Sequence, residues 1–277
     1  MRLHALALLV ALTFVESDLA IRAQQAAAPL GDEQIETFLR TARIVRTRGA
    51  GKGVTGSVRA TLTDGSLTHD AQIQIVDERK SEFRGGKGPV EFNFRDSWRF
   101  NVAAYKIDRM LGLQLVPVSV QRIWNSNRGA FTWWIDDVMM DEGERLKRNA
   151  APPDNRCWSD QIRLLRVLDQ LIDNSDRNLG NMLITNNWRI WAIDHTRAFR
   201  YSTTPRNPAV LTGIDRNVLA RLEALDFATL HQALNDYITD EDIRALLSRR
   251  DGILTRLKSF GDAALYERAD PALGCLK

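Results

Sequence analysis

The chain has 277 residues, of which 44% are hydrophobic and 26% charged. That is enough to bury a sizeable core as one large domain or two lobes, and it excludes a disordered or fibrous chain. The net charge of +3 comes from scattered Lys and Arg. No basic run indicates nucleic acid or a membrane surface as partner.

The first residues, MRLHALALLVALTFV, place Arg2 and His4 before an apolar run from Ala5 to Val15, too short to span a bilayer. With Ile21-Arg22-Ala23 offering a small-residue cleavage site, residues 1–23 read as a secretory signal peptide. The alternatives are an uncleaved N-terminal helix or a misplaced start codon. Export leaves no transmembrane anchor after cleavage, because no second apolar run is long enough. It also bears on Cys157 and Cys275, which either pair in an oxidising compartment or stay as separate thiols.

Beyond the signal, Asp32 caps a helix whose apolar face is Ile35, Phe38, Leu39 and Ala42. The period then changes to that of strands at Ile44–Arg48, Ser57–Leu62 and Ala71–Val76, joined by GAGKGVTG and by a turn around TDGS. A second helix follows Ser97 and stops at Gly112. LVPVSVQRIW and AFTWWIDDVMM read as further strands. NAAPPDN (149–155) is a linker between a strand-rich N-terminal half (24–148) and a helical C-terminal half (149–277). There Ser159 is placed to cap DQIRLLRVLDQLI, NMLIT and RIWAID form short strands, and helices follow near Asp215–Leu225, Asp226–Asp236 and Thr239–Phe260. Thr239 with Asp242 makes a capping box.

Between two apolar elements lies IDNSDRNLGNMLI, residues 172–184. Polar clusters next to a core are held only if they satisfy each other, bind a metal or do chemistry. Asp176 is followed five residues later by Asn181, and Asp194 ends an apolar run eighteen residues after Asp176. With the glycine-rich GAGKGVTG hairpin upstream, two carboxylates and an amide suit Mg²⁺ or Mn²⁺ on a polyphosphate. The pattern is that of phosphoryl transfer, with a base, metal ligands and a glycine lid.

The run DRNLGNMLI followed by IDHTRAF resembles the catalytic and metal loops of atypical protein-kinase-like folds. The nearest groups are the phosphatidylinositol kinases and the secretory-pathway kinases of proteoglycan xylose and casein type, with their bacterial relatives. NVAAYKIDRMLGLQLVPVSVQR is similar to their αC helix and following strand, usually E-x-A-A-Y-x-L-D-x-L-L-G-L-x-x-V-P. The resemblance covers roughly residues 41–200 and is most specific over 172–199. It implies a two-lobed α+β kinase-like fold, strand-rich first and helical second, with ATP in the cleft. It implies that Asp176 accepts the acceptor hydroxyl's proton, that Arg177 orders the loop, and that Asn181 and Asp194 hold the metal. Gly49, Gly51, Gly53 and Gly56 would cover the phosphates, and Phe131–Val138 would be the hinge beside the adenine.

Two departures stand out. The strand that should carry a phosphate-gripping lysine has Gln72 and Gln74, and the αC glutamate position is Asn101. Two amides hydrogen-bond each other but leave no cation on the phosphates. Lys52 in the glycine loop is the substitute the sequence offers, against a reading as a solvated loop lysine. His195, Asp173 and Asn174 read as scaffolding, and the tryptophans as packing. The resulting expectation is an exported ATP- and metal-dependent phosphotransferase. Its rivals are a pseudokinase that binds nucleotide or a partner without turnover, and a weaker metal-dependent phosphohydrolase. The hydroxyl acceptor, whether protein, glycan, lipid or small molecule, is not encoded in any motif.

Overall fold

The computed structural model describes residues 30–49, 57–84 and 90–276. The signal-peptide segment and Gly51, Lys52, Gly53 and Gly56 lie outside them. From Asp32 onward the chain forms one compact unit.

Helix α1 (Asp32–Thr41) buries Phe38 and Leu39, two of the residues on its predicted apolar face. Strands β1 (Arg43–Gly49), β2 (Val58–Thr63) and β3 (Thr68–Gln74) follow. A hairpin of β4 (Asp77–Arg84) and β5 (Val90–Ser97) comes next and, among the described residues, forms a two-stranded sheet of its own. The sequence reading has no such hairpin. Its strands are densely charged, DERKSEFR in β4, and lack the apolar alternation that marks a strand half-buried in a sheet.

Helix α2 (Arg99–Leu111) ends at Gly112, whose φ of 67° closes the helix with its N–H on Arg109 and Asp108 carbonyls. That left-handed cap is a conformation glycine adopts without penalty. Phe100, Val102, Ala103, Ala104, Ile107 and Leu111 are all buried, so α2 is a central core helix rather than a one-faced surface one. Strands β6 (Ser119–Trp124) and β7 (Asn127–Trp133) complete a five-stranded antiparallel sheet of order β1-β2-β3-β7-β6.

AFTWWIDDVMM is two strands, not one. β7 stops at Trp133, and β8 (Val138–Asp141) belongs to a second sheet of order β10-β9-β8, with β9 at Met182–Thr185 and β10 at Ile190–Ala192. The break at 134–137 contains Asp137 at φ 55°, which no extended strand accommodates. After β8 come α3 (Glu142–Lys147) and α4 (Asn155–Leu171). The cap of α4 is Asp154, whose carboxylate accepts from the Arg156 and Cys157 N–H groups, not Ser159. Asp is at least as good an N-cap as Ser, and it stands where the proline-rich stretch ends. Helices α5 (Arg216–Ala224), α6 (Phe227–Leu234) and α7 (Asp240–Lys258) fill the C-terminal region, with a short parallel pair of β11 (Ile214–Asp215) and β12 (Leu265–Tyr266). Thr239 and Asp242 form the expected capping box. Among the described residues no helix is long and apolar enough to cross a membrane.

Two covalent or ionic ties hold distant segments. Cys157 at the start of α4 is disulfide-bonded to Cys275, with Cα atoms 5.6 Å apart and 118 residues between them. Arg95 of β5 donates to both carboxylate oxygens of Asp242, at 2.6 and 2.9 Å, and to the Phe199 carbonyl. Arg95 and Asp242 are both almost fully buried.

Candidate active site

Strand β3 delivers Gln74 to the interior, where it is 2% exposed. Its neighbour across the ladder is Ala130, preceded by Gly129. A Cβ at position 129 would lie 2.7 Å from the Gln74 carbonyl oxygen, so the close approach of β7 to β3 at this point requires glycine. From α2 comes Asn101, 4% exposed. Asn101 Nδ2 donates to Gln74 Oε1 at 2.5 Å, Gln74 Nε2 donates to Asp194 Oδ1 at 3.3 Å, and the His195 backbone N–H donates to Asn101 Oδ1 at 2.7 Å. The two amides therefore form a relay from helix α2 through strand β3 to the loop that carries Asp194. A lysine–glutamate pair would make the same mechanical link with charge; here the link is neutral.

Asp194 lies two residues beyond β10 with φ 54°, a left-handed conformation that aspartate tolerates better than most residues. Its Oδ1 also accepts from Thr196 Oγ1 at 3.1 Å. Asn181 sits just before β9, and the Ile193 N–H donates to its carbonyl at 3.0 Å. Together with the β9–β10 pairing of Met182 with Ala192, this brings Asn181 beside Asp194. Asn181 Nδ2 in turn donates to the Asp176 carbonyl at 3.2 Å. The structure thus gathers Asp176, Asn181 and Asp194 around one short loop.

Arg177 is the hub of that loop. Its guanidinium donates to both oxygens of Asp169 (3.0–3.3 Å), to the carbonyls of Asn181 (2.8 Å) and Ile193 (2.9 Å), and lies 2.9 Å from His195 Nε2. A guanidinium presents five donors in a fixed fork, which is what one side chain needs to tie a helix and two loops together. For His195 Nε2 to accept from Arg177 the ring must carry its proton on Nδ1. Burial, and secondarily the Arg177 charge, hold the imidazole pKa well below its ordinary value, so His195 is a neutral acceptor. Asn174 supports the same loop, accepting from the Asp176 N–H at 3.0 Å and donating to Asp169 Oδ1 at 3.1 Å.

Three side chains at the site carry no sequence signal strong enough to single them out. Asp169 reads as one more polar residue of α4, yet it anchors Arg177. Asp96, at the end of β5, is buried; burial first, and also the nearby Asp194 charge, raise its carboxyl pKa. Arg197 reaches to within 4.0 Å of Asp176 Oδ2. Its place three residues after Asp194 in the IDHTRAF run is the one cue in the sequence.

Hard oxygen donors suit Mg²⁺ or Mn²⁺. Asp194 keeps its second carboxylate oxygen beyond these bonds, and Asn181 bonds Asp176 through its amide nitrogen, leaving its amide oxygen. Among the described residues no group of three or more His, Cys, Asp or Glu forms a metal cage. Of the sequence-predicted residues, Asn181 and Asp194 are those that could hold a divalent cation, with the rest of its shell supplied from beyond them.

No family model matches the sequence, and no curated protein does. Solved structures do match in shape. Hydra Fam20, determined with a sugar, superposes with a TM-score of 0.64 at 14% identity, over 90% of this chain and 96% of that one. The Golgi casein kinase with Mn/ADP bound gives 0.59 at 13% identity, over 87% and 80%. The Helicobacter pylori proinflammatory kinase CtkA gives 0.50 at 13%, over 79% and 96%. The fold is kinase-like. The sequence resemblance assigns Gln74 and Asn101 to the lysine and glutamate positions; the structure joins the two by a hydrogen bond. Gly49 ends β1 at the start of the glycine loop. The segment 131–138, expected as a hinge, runs from the end of β7 in the five-stranded sheet to the start of β8 in the second sheet.

Proposed function

We propose that the protein is an exported, ATP- and metal-dependent phosphotransferase acting on a hydroxyl acceptor. The observation that carries this reading is the convergence of Asp176, Asn181 and Asp194 on the Arg177 hub, inside a kinase-like fold. In this reading Asp176 orients the acceptor hydroxyl and takes its proton. Asn181 and Asp194 hold the divalent ion that neutralises the phosphates. By the same resemblance the glycine-rich run that begins at Gly49 is expected over the phosphates, with Lys52 as the cation the sequence offers in place of the strand lysine, against its reading as a solvated loop residue. Binding of nucleotide and metal in a structural neighbour, the Golgi casein kinase with Mn/ADP, supports ATP with Mg²⁺ or Mn²⁺ here. The Cys157–Cys275 bond supports an oxidising compartment and hence export.

A second reading has its own observation. The amide relay of Gln74 and Asn101 is complete without any cation, which favours a pseudokinase that binds nucleotide and does not turn it over. Thermal unfolding with ATP, with and without Mn²⁺, tests the shared part of both readings. Stabilisation by ATP that depends on Mn²⁺ and disappears in Asp194→Ala is expected. The absence of any ATP effect with metal present would contradict both.

A further inference from the structure

Asp96, the next-to-last residue of β5, is 6% exposed. Its Oδ1 is buried without a hydrogen-bond partner among the described residues. A carboxylate accepts through both oxygens, and leaving one empty in a dry place is costly. An orphaned buried oxygen of this kind points to a partner from outside the chain.

The surroundings say what that partner is. The Ser97 N–H donates to the Thr196 carbonyl at 2.9 Å, which pins the end of β5 to the loop after Asp194. The Thr196 hydroxyl donates to Asp194 Oδ1 at 3.1 Å and also lies in hydrogen-bonding reach of the Asp96 carboxylate. One hydroxyl carries one hydrogen, so it serves one of the two carboxylates and not both. The two are close enough that, after burial, the Asp194 charge raises the Asp96 pKa.

The protein brings no cation of its own to this pair. Arg197 is the positive group whose charge bears on Asp96, yet its guanidinium turns to Glu91 and, at 4.0 Å, to Asp176. Across the ladder from Asp96 stands another acid, Glu78, which is bonded to Lys80 at 2.6 Å. Like charges placed directly opposite each other on neighbouring strands are unfavourable. The neutral relay of Gln74 and Asn101 brings no carboxylate from β3 or α2 to the loop of Asp194; the end of β5 brings one.

We propose that Asp96 is a direct ligand of the divalent ion and shares it with Asp194. Two carboxylates and the Asn181 amide oxygen are hard donors, the kind that Mg²⁺ and Mn²⁺ prefer. The proposal rests on the reading of Asp194 as a metal ligand and not on turnover, so it holds for a pseudokinase as for an active enzyme.

The test titrates Mn²⁺ into the full chain, with ADP present and absent, and follows the free ion by electron paramagnetic resonance. Terbium luminescence lifetimes in H₂O and D₂O count the waters left on a bound ion. The wild type is compared with Asp96→Asn, Asp194→Ala and Glu78→Gln. In Asp96→Asn the Mn²⁺ affinity should fall about tenfold or more, the scale of one charge-assisted contact, and about one more water should occupy the ion. Glu78→Gln removes a neighbouring charge and no ligand, so its water count should match the wild type. Without metal, Asp96→Asn should melt no lower than the wild type, because no ion pair is lost.

Wild-type affinity or an unchanged water count in Asp96→Asn would overturn the proposal. So would an Asp96→Asn chain that fails to fold or melts well below the wild type without metal, since the carboxylate would then serve the fold. If Asp194→Ala binds Mn²⁺ as the wild type does, or the wild type binds none, the reading of Asp194 falls and this proposal with it. If Asp194→Ala loses the ion and Asp96→Asn keeps it, the assignment of Asp96 alone falls.

Discussion

Asn101 shows how one buried amide can serve three segments. It donates to Gln74, accepts from the His195 N–H, and so ties α2 and β3 to the loop of Asp194. Asn101→Ala would leave a buried N–H and a buried amide oxygen unsatisfied, at about 1–3 kcal/mol each. The expected result is a loss of a few kcal/mol in urea unfolding together with weaker nucleotide binding; unchanged stability would mean that the relay carries nothing. His195 makes a pH prediction with a definite sign. Its folded pKa is depressed, by burial and then by Arg177, so the folded state resists protonation. Its stabilising contribution is whole above the ordinary imidazole pKa of about 6.5 and declines as pH falls below it, by up to about 1.4 kcal/mol per pH unit. Unfolding free energies at pH 7.5, 6.5 and 5.5 should show that slope, and His195→Gln should flatten it.

At the scale of elements, the hairpin β4–β5 is tied to α7 through Arg95 and Asp242. Burial pushes the Asp242 carboxyl up, but the hydrogen bond and charge of Arg95 outweigh it, and the net pKa is lowered. The stabilisation from this carboxylate is therefore present above its unfolded pKa near 4 and lost as pH falls through the lower folded value. Asp242→Asn leaves Arg95 buried without its counter-charge. The expected destabilisation is about 3–5 kcal/mol by denaturant unfolding, against under 1 kcal/mol for an exposed pair such as Arg40–Glu36. This hairpin also marks the limit of what the sequence discloses. Helix α2 and the strands around Asp194 were legible because they bury apolar runs, and β9 and β10 lie within the 172–199 motif itself. The hairpin escapes a periodicity reading, since its stability comes from pairing with itself and from polar ties to distant residues, Arg95 to Asp242, 147 positions away, and Glu91 to Arg197 and Arg200. Asp169 escapes for a related reason: its role exists only once α4 is packed beside Arg177.

Across the whole molecule, the disulfide joins the C-terminal tail to the start of α4 over 118 residues. Closing so long a loop in the unfolded chain is expected to add about 2–4 kcal/mol. Reduction should lower the melting temperature by several degrees without abolishing the fold, because the main core lies in helices and sheets remote from the tail. The same molecule-wide view frames the chemistry. The fold gathers Asp176, Asn181 and Asp194 around one loop and joins Gln74 and Asn101 as a neutral pair, so turnover is the decisive question. The most direct measurement is transfer from γ-labelled and, separately, α-labelled ATP with Mg²⁺ or Mn²⁺, in the wild type, Asp176→Ala and Asp194→Ala. The account predicts transfer from the γ-position only, lost in both variants. Transfer from the α-position would make the protein a nucleotidyltransferase, and no transfer from either, with ATP still bound, would make it a pseudokinase; either result would contradict the account.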